Sequence, residues 1–195
     1  MSAQLSLFSA ETQPPSIADL EGLLAGPGQV VHRGRLARVS VVVAEAWRVR
    51  ALVSALGALA LTAESAPGEQ EGTTTVRTPF TADLATIAAR WSHGSTKLPP
   101  QGFSLDGPRL RWWCIAAGAA GPHGYALALG PHDEQVWPAV GAALAAAGVP
   151  AAFLGSRTDR PAYRIVGQRR LMRLRELVGA APPEVPPAAW PTARS

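Results

Sequence analysis

The sequence predicts an α+β protein that consists of two similar halves, each with the order helix, strand hairpin, helix, strand hairpin, helix. Two apolar segments of equal length support this organisation, residues 20–28 and residues 110–118, because both contain many small residues and both end at a glycine. Each is followed by strand-like residues, and in the first half Val39, Val41 and Val43 alternate with Arg38, Ser40 and Val42, which is typical of a half-buried sheet. The expected architecture is therefore a pseudo-twofold repeat with antiparallel sheets.

Composition favours a globular protein with a complete hydrophobic core. The chain has 195 residues, of which 47% are apolar, and this is enough to bury a core. It contains no run of about 18 uncharged apolar residues and no secretory signal, so a cytoplasmic protein without a membrane partner is expected. The single cysteine, Cys114, lies in an apolar segment, which excludes an internal disulfide and favours a small buried side chain.

Positive charge comes almost entirely from arginine. The formal net charge is +4, and Lys97 is the only lysine. The planar guanidinium group donates paired hydrogen bonds to phosphates and guanine edges, so this composition suits a nucleic-acid partner better than a membrane. The histidines lack the paired spacing of a metal site, and the motifs of nucleotide binding and nucleophilic catalysis do not occur. No cofactor and no metal are expected.

Residues 1–16 are polar, contain prolines and lack periodicity, which predicts a disordered N-terminal tail. The tail includes five consecutive residues of special interest: Gln4, Leu5, Ser6, Leu7 and Phe8. This pentapeptide resembles the consensus by which bacterial polymerases, repair proteins and clamp loaders bind the DNA polymerase sliding clamp. In an extended peptide the glutamine amide offers paired hydrogen bonds, while the Leu-Phe pair fills an apolar pocket. The alternative is an apolar cluster that packs on its own domain.

The first repeat is expected at residues 17–91. Ser16 is a suitable N-cap for its first helix, and the glycines at 26 and 28, with Pro27 between them, stop that helix. The pattern then predicts a hairpin with a turn at Gly34 and Arg35. In chain order, the predicted elements after the first helix are strands 29–33 and 37–44, helix 45–58, strands 61–65 and 73–78, and helix 81–91.

A linker rich in proline and glycine is expected at residues 92–108, followed by the second repeat at 109–179 and a proline-rich tail at 180–195. Trp137 lies about 90 positions after Trp47, where a repeat predicts an equivalent residue. The tail is expected to run extended over the surface, fixed by Trp190. The predicted elements are helix 109–117, a weak strand near residue 120, strand 124–130, helix 133–147, strands 151–157 and 162–168, and helix 169–178.

This order of elements resembles the LAGLIDADG homing-endonuclease fold in its single-chain form. In that family the first helices of the two repeats pack together, and two curved antiparallel sheets form a saddle over the DNA major groove. The matching segments are residues 20–28 and 110–118, where small residues such as Gly22 and Ala116 would allow close approach. The second half is also similar to the N-terminal domain of WhiA-type bacterial regulators, which have a degenerate version of the fold. The alternative is an unrelated α+β domain with two similar halves.

The chain departs from the family at the positions that bind metal. The resemblance to active members implies an acidic residue just before the terminal glycine of each first helix, because paired carboxylates hold the cations that activate water. Aligned on Gly28 and Gly118, these positions are Pro27 and Ala117. Neither side chain can bind a metal, so the resemblance implies a DNA-binding protein without nuclease activity.

On this interpretation residues of the two sheets contact DNA, because arginine and glutamine can bind base edges and the other polar residues can bind phosphates. The candidates in the first half are Gln29, His32, Arg33, Arg35, Arg38 and Arg77. The candidates in the second half are His123, Arg157, Arg160, Tyr163, Arg164 and Gln168. The arginines of the last predicted helix are interpreted as a solvated face.

The leading hypothesis is a monomeric, non-catalytic DNA-binding accessory protein that associates with the nucleoid and acts in DNA replication or repair. Its tether to the sliding clamp would raise its local concentration at DNA. The second hypothesis is a transcription regulator like the WhiA proteins, although that family pairs the saddle with a helix-turn-helix domain and none is found after Gly179. The third is a protein-interaction module of the replisome, in which the saddle binds a protein partner.

Overall fold

The computed structural model describes residues 9–155 and 160–192. Within these residues the chain forms six α-helices, two four-stranded sheets and one two-stranded sheet, and all strand pairs are antiparallel. This architecture confirms the predicted α+β class. None of the described helices is long and apolar enough to span a membrane.

The first half contains three α-helices and one four-stranded sheet. A short 3-10 helix, Ile17–Leu20, leads directly into α1. The elements in chain order are α1 (Glu21–Ala25), β1 (Gln29–Arg33), β2 (Leu36–Val43), α2 (Ala46–Ala58), β3 (Glu64–Pro67), β4 (Thr74–Arg77) and α3 (Ala85–Trp91). The strand order in the sheet is β1-β2-β4-β3.

The second half repeats this arrangement after a small connecting hairpin. The hairpin consists of β5 (Ser92–His93) and β6 (Thr96–Lys97). The elements that follow are α4 (Gly107–Ala117), β7 (Gly118–Gly121), β8 (Gly124–Ala128), α5 (Trp137–Ala146), β9 (Ala152–Leu154), β10 (Ala162–Ile165) and α6 (Gln168–Val178). The second sheet has the order β7-β8-β10-β9, which is the connectivity of the first sheet. The two halves are therefore structural repeats.

Helices α1 and α4 pack against each other at the centre of the molecule. A Cβ atom on Gly22 would lie 1.7 Å from the carbonyl oxygen of Arg109, so at this crossing only glycine permits the observed separation. Further along α1, Gly26 lies against the indole ring of Trp113. The Nε1 atom of Trp113 donates a hydrogen bond of 2.8 Å to the carbonyl of Ala128. The expected close approach of the two helices through small residues is thus present.

Both central helical segments begin with a side-chain cap. Ser16 forms a capping box with Asp19: the Ser16 hydroxyl accepts from the Ala18 N–H at 3.3 Å, and the Asp19 carboxylate accepts from the Ser16 N–H at 2.8 Å. Burial raises the pKa of Asp19, although its backbone hydrogen bond acts in the opposite direction. Asp106 caps α4 by accepting from the N–H of Arg109 at 3.0 Å. The predicted N-cap role of Ser16 is confirmed.

A buried carboxylate joins the two central helices to α3. Glu21 is 1% exposed, and its Oε2 accepts from Nε of Arg109 at 2.9 Å. Its Oε1 lies 3.1 Å from Nη2 of Arg90, which belongs to α3. Because a buried carboxylate is stable only with compensating charges, Glu21 depends on both arginines and holds the three helices together.

The sequence predicted a disordered tail up to residue 16. In the structure the described part of this tail, from Ser9 onward, packs on the domain. Ser9 is fully buried, and the N–H of Ala10 donates to the carbonyl of Leu177 at 2.8 Å. The carboxylate of Glu11 accepts from the N–H of Ala180 at 2.6 Å. The last carbonyls of a helix lack hydrogen-bond donors within that helix. The N–H of Ala10 is the donor for one of these carbonyls in α6, that of Leu177. The chain is therefore anchored from Ser9 onward.

Three boundaries differ from the prediction for identifiable reasons. Strand β10 ends at Ile165 instead of residue 168, because Gly167 has a φ of 91° and Gln168 begins α6. Helix α5 begins at Trp137 instead of residue 133, with Pro138 in its first turn, where a backbone N–H is not needed. The predicted linker, residues 92–108, contains β5, β6 and the beginning of α4.

Trp190 fixes the C-terminal segment, as the sequence predicted, but the segment is not extended throughout, because Pro187–Ala189 form a 3-10 helix. Trp190 is buried, and its Nε1 donates to the carbonyl of Gly179 at 2.9 Å. The guanidinium carbon of Arg111 lies 5.4 Å from the centroid of its ring. The hydroxyl of Tyr125 donates to the carbonyl of Ala189 at 3.2 Å. This segment therefore covers one side of the second repeat.

Candidate nucleic-acid interface

Alternation along β2 determines which side of the first sheet faces the core. Val39, Val41 and Val43 are buried, whereas Val42 is exposed and Arg38 is half-buried. This is the alternation that the sequence predicted for the strand. The side of the sheet that bears Arg38 and Val42 is named the first outer face.

The first outer face combines basic and apolar side chains. Strand register assigns the following residues to it: Gln29, Val31, Arg33, Leu36, Arg38, Ser40, Val42, Glu64, Ala66, Thr75 and Arg77. Val31, Leu36 and Val42 are large apolar side chains that remain exposed. Clustered apolar side chains on a surface are typical of a site that contacts a partner.

Two arginines of the first outer face share one aromatic ring. The guanidinium carbon of Arg33 lies 4.4 Å from the centroid of the Phe80 ring, and that of Arg38 lies 4.8 Å from it. These are cation–π distances. Among the described residues no carboxylate lies within salt-bridge distance of either arginine, and the buried Nε of Arg38 has no hydrogen-bond partner. The pair therefore concentrates positive charge without a counter-ion from the described chain.

Gln29 and Arg77 of the same face already have partners. The Nε2 atom of Gln29 donates to Oδ2 of Asp133 at 3.0 Å, which joins the first sheet to the second half. The Nε atom of Arg77 donates to Oε2 of Glu64 at 3.2 Å, and both side chains are largely exposed. Because exposed ion pairs contribute little free energy, Arg77 can exchange Glu64 for another anion at small cost.

Arg35 and His32 lie beside the first outer face. Arg35 is exposed in the turn between β1 and β2. His32 is paired with Ala37, whose side chain is buried, so His32 projects toward the core side at the margin of the sheet, where it is exposed. His32 therefore does not share the face of Arg33 and Arg38.

The equivalent side of the second sheet, named the second outer face, consists mostly of alanine. The buried side chains of Leu127 and Ile165 identify the core side, and the register assigns the remaining positions. The residues of the second outer face that have side chains are Ala119, Ala126, Ala128, Ala152, Leu154, Ala162 and Arg164. Arg164 is the one charged side chain on this face in the part of the chain that is described.

Tyr163 lies in the core and not on the second outer face. It is 7% exposed, its hydroxyl donates to the carbonyl of Trp137 at 2.7 Å, and burial raises its pKa. The structure thus gives this predicted DNA contact an internal role. The sequence contained a sign of this, because Ile165 is apolar and lies two residues after Tyr163, on the same side of the strand.

The other candidates of the second half are dispersed. His123 is exposed in the turn between β7 and β8, and Gln168 is the exposed first residue of α6. Arg160 is exposed in the loop before β10. Arg157 and the pentapeptide at residues 4–8 lie outside the described residues.

A buried ammonium group binds the carboxyl-terminal end of α1. The Nζ atom of Lys97 donates to the carbonyls of Gly26 at 3.1 Å and Gly28 at 2.8 Å, and it lies 2.6 Å from Oδ2 of Asp133. Carbonyls at this end of a helix lack partners and have partial negative charge. Burial lowers the pKa of Lys97, although the charge of Asp133 acts against that shift.

A buried guanidinium group binds the corresponding end of α4. Arg48 donates to the carbonyls of Cys114 at 3.4 Å, Ile115 at 2.8 Å and Gly118 at 2.7 Å. Its Nε donates to Oε2 of Glu45 at 2.8 Å. Burial acts to raise the pKa of Glu45, but the hydrogen bond and charge of Arg48 outweigh it, so that the pKa is lowered overall.

The acids of the two cation sites are equivalent in chain order, whereas the cations are not, and neither site was predicted from the sequence. Glu45 lies between β2 and α2, and Asp133 lies between β8 and α5, so each acid precedes the same helix of its repeat. Lys97 belongs to the predicted linker, and Arg48 is one of two arginines in its helix. The sequence offered one indication that Lys97 has a special role, namely that it is the only lysine of the chain.

Neither central helix has a carboxylate just before its terminal glycine. Helix α1 ends at Ala25 with Gly26 as its C-cap, and α4 ends at Ala117 with Gly118 as its C-cap. Pro27, the position identified by aligning the sequence on Gly28, lies two residues beyond the end of α1. The residue before the glycine is alanine in both helices, and alanine cannot bind a metal.

The carboxylates beside the helix ends are bound to cations of the chain itself. Asp133 pairs with Lys97, and Glu45 pairs with Arg48. Across residues 9–155 and 160–192, no group of three or more histidine, cysteine, aspartate and glutamate side chains is placed to hold a metal ion. The described helix ends therefore bind ammonium and guanidinium groups.

Solved structures with this fold include a homing endonuclease and a LAGLIDADG domain. The homing endonuclease I-WcaI bound to its DNA recognition sequence matches with a TM-score of 0.56 at 11% identity, over 88% of this chain and 84% of that chain. The N-terminal LAGLIDADG domain of WhiA matches with a TM-score of 0.55 at 13% identity, over 85% of this chain and 82% of that chain. The chain therefore has a LAGLIDADG-like fold. No protein-family model matches the sequence, and no curated protein matches it significantly.

Proposed function

We propose that this protein binds double-stranded DNA on the outer faces of its two sheets without cleaving it. The observation that supports this proposal best is the pair of arginines on Phe80, which presents two guanidinium groups on the first outer face. The homing endonuclease I-WcaI has the same fold and was solved with its DNA recognition sequence. Guanidinium groups bind phosphates and base edges, so the described chemistry suits DNA.

The chemistry of the helix ends supports the proposal that DNA is bound without cleavage. Hydrolysis of a phosphodiester by this fold family relies on carboxylates that hold divalent cations, and the residues before the C-cap glycines are Ala25 and Ala117. A divalent cation at either end would also be repelled by the neighbouring ammonium of Lys97 or guanidinium of Arg48. These features support a role in DNA binding alone.

We further propose that the pentapeptide at residues 4–8 recruits the protein to the DNA polymerase sliding clamp, for a role in replication or repair. The residues concerned lie outside the described part of the chain, so this proposal rests on their sequence, Gln4-Leu5-Ser6-Leu7-Phe8. The anchoring of Ser9 and Ala10 against α6 adds a constraint. A clamp bound to this peptide would lie close to the C-terminal end of α6.

DNA binding is tested by fluorescence anisotropy with a labelled duplex of about 30 base pairs over a range of salt concentrations. We expect saturable binding at low salt and a linear decrease of log K with log salt. Incubation with supercoiled plasmid and Mg²⁺ or Mn²⁺ should leave the plasmid intact. The DNA-binding proposal is abandoned if the duplex does not bind at low salt, and the non-catalytic proposal is abandoned if metal-dependent nicking occurs.

Clamp binding is tested by titrating the protein with the purified sliding clamp from the same source. We expect micromolar affinity, to which two large apolar side chains transferred from water into a pocket contribute roughly 3 to 5 kcal/mol before ordering costs. A variant with Gln4→Ala, Leu7→Ala and Phe8→Ala should lose this binding and keep its affinity for DNA. Equal clamp binding by wild type and variant would remove the peptide from the proposal.

A second candidate function is transcription regulation, which is favoured by the fold of the WhiA domain. A regulator must distinguish its operator from other DNA, whereas an accessory protein of replication or repair binds duplexes of any sequence. Selection of bound duplexes from a random library distinguishes the two. An enriched sequence motif would support the regulator, and an unchanged library would support the accessory protein.

A further inference from the structure

We propose that the two halves contribute unequally to DNA binding: the first outer face supplies the ionic contacts through the Arg33–Phe80–Arg38 unit, and the second outer face supplies an almost uncharged surface. This inference rests on the proposed DNA binding. It goes further, because the repeated fold by itself would suggest two equivalent binding surfaces.

The two outer faces differ in charge. The first outer face has three arginines, Arg33, Arg38 and Arg77, and one of them is paired with Glu64. The second outer face has Arg164 and otherwise alanine, glycine and Leu154 in the described strands. Alanine has neither a hydrogen-bond donor nor an acceptor in its side chain. The described second face can therefore make few polar contacts with base edges or phosphates.

The two arginines on Phe80 are preorganised to bind an anion. Each guanidinium group is held against the same ring, at 4.4 and 4.8 Å. Holding two like charges near each other is unfavourable until an anion lies between or beside them, and phosphate accepts charge-assisted hydrogen bonds from guanidinium groups. Because the ring limits the motion of both side chains, less conformational entropy is lost when they bind.

Exposed apolar side chains lie on the same face as these arginines. Val31 is 44% exposed, Leu36 is 38% exposed and Val42 is 52% exposed, and all three lie on the first outer face. Aliphatic side chains contact the methyl group of thymine in the major groove. The first face thus has both the charged and the apolar groups that a DNA groove requires, whereas the second face has a single charged group in the strands that are described.

The consequence is that DNA should be bound mainly over the half of the site that lies on the first sheet.

The test compares two double variants that each remove two positive charges: R33A/R38A in the first half and R160A/R164A in the second. The labelled duplex of about 30 base pairs is the probe, and the slope of log K against log salt changes by about 0.9 for each phosphate that the protein no longer neutralises. Arg50→Ala, on the exposed side of α2, is the control for removal of charge away from the sheets.

We expect R33A/R38A to reduce the salt slope by about 2 and the affinity by at least about tenfold at moderate salt. We expect R160A/R164A to change the slope by less than about 1, and R50A to leave it unchanged. Phe80→Leu keeps both charges but removes the ring, so the affinity should decrease several-fold with a smaller change in slope. Thermal denaturation of each variant verifies that it is folded.

The outcomes separate this inference from the proposed function. If the wild type does not bind the duplex, the proposed function fails. If the wild type binds and R160A/R164A loses as much affinity and slope as R33A/R38A, DNA binding stands and the unequal contribution is overturned. If Phe80→Leu binds as tightly as the wild type, the preorganised unit is overturned as the reason for the inequality.

Discussion

The ammonium group of Lys97 lies 2.6 Å from the carboxylate of Asp133, and this buried pair joins the connecting hairpin to the second repeat. The same ammonium donates to the carbonyls of Gly26 and Gly28 at the end of α1. Gln29, the first residue of β1, donates to the same Asp133 oxygen. One ion pair therefore positions the end of a central helix and the start of the first sheet relative to the second half.

Lys97→Met should destabilise the protein strongly. The substitution keeps an aliphatic stem but leaves Asp133 as a buried, unpaired charge and two backbone carbonyls without their donor. Removing one partner of a buried ion pair costs about 3 to 5 kcal/mol. Urea denaturation followed by tryptophan fluorescence measures the change in the free energy of unfolding.

The control for this prediction is the double variant K97M/D133N, which removes both charges. Its destabilisation should be smaller than the sum of those of the two single variants, with a coupling energy of at least about 1 kcal/mol. Additive effects, or a loss of less than about 1 kcal/mol in Lys97→Met, would mean that the ammonium is not needed to neutralise Asp133.

Arg48→Met should destabilise the end of α4 in the same way. The carbonyls of Ile115 and Gly118 would lose this donor, whereas the carbonyl of Cys114 keeps the N–H of Gly118, and unsatisfied buried carbonyls cost about 1 to 3 kcal/mol each before relaxation. We expect a loss of about 3 kcal/mol in the free energy of unfolding. Arg50→Ala on the same helix is the matched control, because Arg50 is exposed, and it should change stability by less than about 0.5 kcal/mol. Similar effects of the two substitutions would contradict the assigned role.

Gly22→Ala should separate the central helices. The added Cβ would lie 1.7 Å from the carbonyl oxygen of Arg109, and backbone cannot rotate away as a flexible side chain can. Overpacking of a core typically costs about 1 to 3 kcal/mol, and we expect the upper part of this range. The free energy of unfolding in urea is the measurement.

Gly57→Ala is the matched control for the helix crossing. Gly57 also lies within a helix, α2, but nothing lies within 4 Å of the position of its added Cβ. Alanine is the better helix former by about 0.5 to 1 kcal/mol, so this variant should be as stable as the wild type or more so. If Gly22→Ala behaves like Gly57→Ala, close packing at the crossing does not determine stability.

Local features of the fold were predictable from the sequence. The Ser16 cap, the turn at Gly34 and the alternation along β2 each depend on residues that are neighbours in the chain. Such features follow from backbone propensity and periodicity. These local features were sufficient to predict the α+β class and the order of the helices and strands.

The features that were missed depend on contacts between distant residues. Lys97 lies in a segment with the composition of a linker, and its role arises from Gly26, Gly28 and Asp133. Tyr163 is a suitable residue for a DNA contact by type, but its hydroxyl is used by the backbone of Trp137. Residue type can identify which side chains are able to bind DNA, and only the sheet register determines which face they occupy.

Cys114 should be almost unreactive in the folded protein. It is 1% exposed on α4, and burial raises the pKa of its thiol from 9.0 to about 12. At pH 8 the thiolate fraction is therefore about 10⁻⁴ in the folded state and about one in ten in the unfolded state. Labelling with iodoacetamide at pH 8 should be slow in buffer and rapid in denaturing urea, and rapid labelling in buffer would contradict the burial of α4.

The same pKa shift predicts a loss of stability at alkaline pH. A thiol whose pKa is raised on folding stabilises the protein fully below its unfolded pKa, 9.0, because neither state is ionised there. As the pH rises from 9 toward 12, the unfolded thiol ionises and the folded one does not, so the free energy of unfolding decreases. Cys114→Ala should be less sensitive to pH between about 8.5 and 9.5, where the unfolded thiol begins to ionise while Tyr125, whose pKa burial also raises from 10.0, is protonated for the most part in both states. Urea denaturation of the two proteins at several pH values measures the difference, and parallel curves would show that this thiol is not responsible.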